Sequence, residues 1–106
     1  MTDIARLHRE LIARVLGGGG TALPETRRAA FDGAGLNEPL RSLVDKVALH
    51  ADQVTDDDIV AVQAAGLSED QVFEVAVCAA IGQADREYKN ALAALATATG
   101  ETGATK

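Results

Sequence analysis

The chain has little with which to build a large core or a redox centre. Its 106 residues include two Phe, one Tyr and no Trp. A core of Ala, Val and Leu gains less apolar area per residue than one built on aromatic rings, so this fold has reason to recruit surface from another subunit. The single cysteine, Cys78, excludes an internal disulfide. With two prolines and almost no runs of β-branched or aromatic residues, helix is favoured over strand throughout. There is no apolar run of about 18 residues and no secretory leader pattern, which gives the expectation of a soluble, cytoplasmic protein without a membrane partner.

Basic charge is scarce where it would matter for nucleic acid. The formal net charge is −6. Residues 1–50 carry seven Lys/Arg against six Asp/Glu, whereas residues 51–106 carry three against ten. Phosphate binding is driven by clustered Lys and Arg, so nucleic acid is not an expected partner.

What the sequence does have is a repeated helix-start grammar. Val54-Thr55-Asp56-Asp57-Asp58-Ile59 and Leu67-Ser68-Glu69-Asp70-Gln71-Val72 each place a hydroxyl residue before an acidic or amide side chain three positions on. That is the pattern of a capping box, and the apolar residue before each cap can staple onto the one after it. Gly66 between the two supplies a left-handed stop, so a short helix turns into a long one. Earlier, residues 3–16 form an amphipathic helix with Ile4, Leu7, Leu11 and Val15 on one stripe and His8 beside it. Residues 17–20, four glycines, make a flexible joint. Pro24 opens a short helix over residues 25–31 that carries the basic doublet Arg27-Arg28, read as solvated charge in preference to an anion contact. Asn37 caps a third helix that runs to about His50, with Leu40, Leu43, Val44 and Val47 recurring at helical spacing. Ile59, Val62 and Ala65 are expected to face inward from the fourth.

The last helix starts after Ser68 and is expected to continue to Leu95. Over residues 72–81 it is apolar nearly all round, interrupted only by Glu74, and it then narrows to a stripe of Ile81, Ala84, Tyr88, Leu92 and Leu95, with Asp85, Arg86, Glu87 and Lys89 outside. A thin bundle has difficulty enclosing such a rod, so homo-oligomerisation through it is expected, a dimer or higher, with a further protein partner also open. The organisation that follows is an all-α bundle of about five helices, one helical domain over residues 1–95 and a disordered tail over 96–106.

Chemistry is thinly written. Cys78 lies among Val77, Ala79 and Ala80, which suggests a buried thiol with a raised pKa and not a thiolate. His8 and His50 have no metal-ligand spacing, and Asp56-Asp57-Asp58 lacks the alternating ligands of a calcium loop; no metal or cofactor is expected. Glu74 in an apolar stretch must find a partner or stay protonated, with Arg41, Lys46 or Arg86 as candidates. The turn at Ala64-Ala65-Gly66-Leu67-Ser68 imitates a DNA-reading helix-turn-helix, but the leading residues of its second helix are Glu69, Asp70 and Gln71, which phosphates would repel.

The run from Ala64 through Val75, continuing by Ala79-Ala80 to Ala91-Leu92, resembles the C-terminal helical part of carboxymuconolactone decarboxylase-like and alkylhydroperoxidase-D-like proteins. The resemblance covers residues 40–95. It implies an all-helical, oligomeric scaffold. The thiol peroxidases of that family carry Cys-x-x-Cys-x-x-x-His before the turn glycine; counted back from Gly66, those positions hold Ala51, Val54 and Asp58. A disulfide cycle needs one thiolate to attack peroxide and a second to resolve the sulfenic acid, so one subunit cannot run it. The expected function is therefore association, as a non-catalytic oligomer or partner subunit. The alternatives are a decarboxylase or lyase using Glu74, His50 or Arg41 in a polar pocket between subunits, and a peroxidase using Cys78 alone with an external thiol.

Overall fold

The computed structural model describes residues 2–17 and 20–100. Within them the protein is all-helical: α1 (Thr2–Gly17), α2 (Pro24–Asp32), α3 (Leu40–Leu49), a 3-10 turn (Ala51–Gln53), α4 (Asp56–Ala64) and α5 (Glu69–Thr99). None of these helices is long and apolar enough to cross a membrane.

Both capping boxes form. The Thr55 hydroxyl accepts from the Asp58 amide at 3.4 Å, and the Asp58 carboxylate accepts from the Thr55 amide at 2.9 Å. Ser68 accepts from the Gln71 amide at 3.1 Å, and Gln71 returns the bond to the Ser68 amide at 2.8 Å. Gly66 between them has φ 115°, a conformation that residues with a Cβ rarely adopt. Two orphan amides at each start are thereby satisfied by residues three apart in sequence.

The other ends are less regular. Gly33, at φ 68°, stops α2, its amide bonding to the carbonyls of Ala29 and Ala30. The third helix starts at Leu40, with Pro39 and not Asn37 at its N-cap and no side-chain cap bond there; the Glu38 carboxylate, one residue before, accepts from the Ser42 amide at 3.1 Å and from its hydroxyl at 2.6 Å. The Glu38 carboxylate thereby satisfies one of the free amides of the first turn. Helix α5 passes the expected end at Leu95 and stops only at Gly100, φ 81°, so Ala96 to Thr99 are helical. Alanine sustains the helix where a Thr- and Gly-containing tail read as frayed. The remainder of that tail, residues 101–106, and Gly18 and Gly19 of the expected joint lie outside the described residues; Gly17 is the last residue of α1.

The core centres on Leu43, Val44, Val62, Val75 and Cys78, with Ala30 and Ala79 equally enclosed. Of the inward residues expected on α4, Val62 is buried, Ile59 is half-buried and Ala65 is exposed at the turn. Helix α2 lies along the middle of α5, and the closest approach is at Gly82, where a methyl group would run into the Phe31 carbonyl. One turn later Arg86 donates to that same carbonyl from Nη1 at 2.6 Å and to Gln83 Oε1 from Nη2 at 2.8 Å, serving the C-terminal end of α2 with a cation.

Helices α1 and α5 run antiparallel. Val15 meets Cys78 and His8 meets Asp85, a step of seven residues in opposite directions along the two chains. Residues 91–100 of α5 are exposed except Ala96, which is half-buried, and the described residues extend over 53 × 28 × 21 Å with a radius of gyration of 16.2 Å, against about 13 Å for a compact domain of this length.

Replacing Gly82 by Ala should lower stability by about 1–3 kcal/mol in urea unfolding, because overpacking against backbone outweighs the helix propensity gained. Gly17→Ala, with open space around the position, should leave the midpoint unchanged or raise it. Equal midpoints for the two variants would show that α2 and α5 are not in close contact at Gly82.

Candidate functional site

Glu74 is where the polar chemistry of α5 enters the body of the protein. Its carboxylate accepts the Thr21 amide at 3.0 Å on each oxygen, the Thr21 hydroxyl at 3.1 Å and the Ala22 amide at 2.8 Å. Gly20 permits this, since a Cβ there would stand 2.7 Å from Oε1. Gln71, one turn earlier, donates to the Thr21 carbonyl at 3.1 Å. The Thr21 amide first, and then the Ala22 amide, hold the Glu74 carboxyl below the usual carboxylate range, outweighing the cost of burial.

None of Arg41, Lys46 and Arg86 supplies these bonds, contrary to the expectation from sequence. Arg41 is exposed, 3.7 Å from Glu38, and faces a shallow groove beside Gly33, Leu36 and Asp45. Lys46 binds Asp58 at 2.9 Å, and Arg86 serves Phe31. The cation near Glu74 is Arg27, whose reading as solvated charge is overturned: the residue is only 6% exposed, and Nε and Nη1 donate to the carbonyls of Ala22 at 3.2 Å and Val15 at 3.5 Å. A guanidinium has five donors in a fixed fork, and the bend between α1 and α2 offers it carbonyls. Its partner Arg28 remains exposed, bonded to Asp32 at 3.1 Å.

Cys78 lies one turn beyond Glu74 on α5. Its thiol is buried and points at the Val15 carbonyl, Sγ to O 3.7 Å. Burial pushes its pKa up, with the Arg27 charge opposing and the Glu74 charge adding to the rise. The protonated thiol is a poor nucleophile. Glu74 and Cys78 are thus brought to one corner, while His50 sits exposed at the C-terminal end of α3 and Arg41 on another surface.

At the positions where the resembled family keeps its redox residues, Ala51 is in the 3-10 turn, Val54 is half-buried and Asp58 is tied to Lys46 and Thr55. The Lys46 ammonium, then the Thr55 amide, lower the Asp58 carboxyl pKa. Asp58 therefore serves in an ion pair and a helix cap. A groove of about 200 Å³ runs between Leu23 and Thr26 on one side and Gly66, Leu67 and Gln71 on the other, with no ionisable side chain in its lining.

A second polar cluster was not legible. Asp85, placed outside the stripe by the sequence reading, is 4% exposed; Oδ1 accepts from His8 Nε2 at 2.8 Å and Oδ2 from Lys89 Nζ at 3.1 Å. The His8 ring packs on Tyr88 with centroids 5.0 Å apart. His8 first, with Lys89 assisting, holds the Asp85 carboxyl below its usual range. The available signal was spacing, since Ile81, Asp85, Tyr88, Leu92 and Leu95 alternate by four and three, a seam position for Asp85. Among the described residues, no group of three or more His, Cys, Asp and Glu side chains is placed to hold a metal ion.

Compared with protein-family models, with curated proteins and with solved structures, the chain matches none.

Because the Glu74 pKa is depressed on folding, the stability it contributes is present above the ordinary Glu range, near pH 4.3, and is lost as pH falls through the folded value. Glu74→Gln should therefore cost about 1 kcal/mol at pH 7 and progressively less as pH falls through the folded value in urea unfolding. A pH-independent cost would place its effect in packing. Cys78 should react with a disulfide reagent only at the rate of unfolding; fast labelling of the native protein would contradict its burial.

Proposed function

We propose that this protein acts by association, as a non-catalytic helical subunit on a scaffold like that of the carboxymuconolactone decarboxylase-like family. The observation that carries the reading is the open apolar side of α5. Phe73 is 68% exposed, and Val77, Ala80 and Ala84 follow it at spacings of four, three and four, half-buried or exposed. An aromatic ring and three small apolar neighbours on one helix face form a surface that another helix can approach closely.

The groups suited to catalysis are already committed. Glu74 is ionised and held by amides, Asp58 by Lys46, and the Cys78 thiol is protonated and enclosed. His50 and Arg41 stand apart from that corner. Each of these arrangements supports association over acid–base or thiol chemistry.

Multi-angle light scattering at about 50 µM should give a mass of at least twice the 11.0 kDa chain. Ala80→Glu, which places a charge in the middle of the Phe73 face, should raise the dissociation constant by tenfold or more. A wild-type protein of monomer mass would overturn the proposal; an unchanged oligomer in Ala80→Glu would move the contact off this face.

A further inference from the structure

The open side of α5 does not end at Ala84. Tyr88, Ala91 and Leu95 extend it, again at spacings of four, three and four, and all three are exposed. The series from Phe73 to Leu95 therefore has the same spacing read in either direction, with Ala84 at its centre. Its two ends carry large apolar side chains, and most of what lies between is small.

Helix α1 repeats that symmetry independently. Its register on α5, set by Val15 at Cys78 and His8 at Asp85, puts residue 9 level with Ala84. Leu7 and Leu11, both exposed, stand two positions either side of that level. They also lie on the flank of α1 turned from Leu16, which packs against the core. Around α5 the Phe73 side, α1 and α2 follow in order, with Cys78 and Asp85 meeting α1 and Gly82 meeting α2. The flank of α1 turned from α2 thus borders the Phe73 side, and the two helices share one open face.

We infer that this protein forms a two-fold dimer in which α5 crosses α5 of a second copy antiparallel, with the axis at Ala84 and α1 beside α1. This rests on the association proposed above and assigns it a partner and an orientation. The axis sets Phe73 against Leu95 of the partner subunit, Val77 against the partner's Ala91 and Leu7 against the partner's Leu11. A two-fold contact uses one patch twice, so the patch has to complement itself. A different protein would impose no such condition, whereas here the exposed residues of two separate helices are symmetric about one level. The contact runs about 33 Å along α5 and is two helices wide beside α1, on the order of 1,000 Å² in total, where specific interfaces begin. The exposed outer end of α5 is then covered by the Phe73 end of the second copy.

Cross-linking of the full chain tests the axis. After subunit exchange, a short bis-maleimide should join Val77→Cys to Ala91→Cys in a mixture of the two variants. Each variant alone should stay unlinked, because like positions stand about 21 Å apart along the helices. The buried Cys78 does not compete for the reagent. Leu11→Glu, which alters α1 only, should raise the dissociation constant tenfold or more. A wild-type monomer would defeat the association itself. A dimer in which Val77→Cys links to itself, one whose mixture gives no link, or one indifferent to Leu11→Glu would leave association standing and overturn this pairing.

Discussion

The fold depends on how near the backbone of α2 can come to α5. Gly82 removes the one side chain that would hold the two helices apart, and the Phe31 carbonyl moves into the space. Arg86 then finds that carbonyl within reach, so a single oxygen joins the C-terminal end of one helix to the middle of the other. With α2 fixed there, Ala30 and Phe31 meet Val75, Cys78 and Ala79, and the α1–α2 bend is delivered to the Glu74 carboxylate. The few aromatic residues matter less when backbones pack this closely, because small side chains fill what little space is left.

Elements whose instructions are local were legible in the sequence. Thr55 with Asp58 and Ser68 with Gln71 specify their helix starts through bonds spanning three residues, and both starts fall where the pattern puts them. Cys78 was readable as a buried thiol from its neighbours alone. What escaped were side chains whose partners are main-chain atoms. Glu74 was matched to cations because charge shows in a sequence, whereas the amides of Thr21 and Ala22 do not. Arg27 was given to solvent for the same reason, its acceptors being carbonyls of Val15 and Ala22. The glycine run before Thr21 was the one available hint, read as freedom of the joint when Gly20 also makes room for a carboxylate.

Asp85 illustrates a different failure. A carboxylate among seam positions reads as a solvated face until a second helix is known to lie over it. His8 supplies that cover from 77 residues away, and Lys89 takes the remaining oxygen. The pair fixes the register of α1 on α5.

The two capped starts carry an implication for how the molecule assembles in time. Everything that makes the corner between α4 and α5 is contributed by residues within a few positions of each other, so it can organise before the chain closes any long loop. The Glu74 clamp and the His8 bond join residues more than fifty apart and must wait. Pulse-labelled hydrogen exchange during refolding should find amides around Gly66 protected first, and those of α1 last, with the N-terminal helix closing onto a frame already standing.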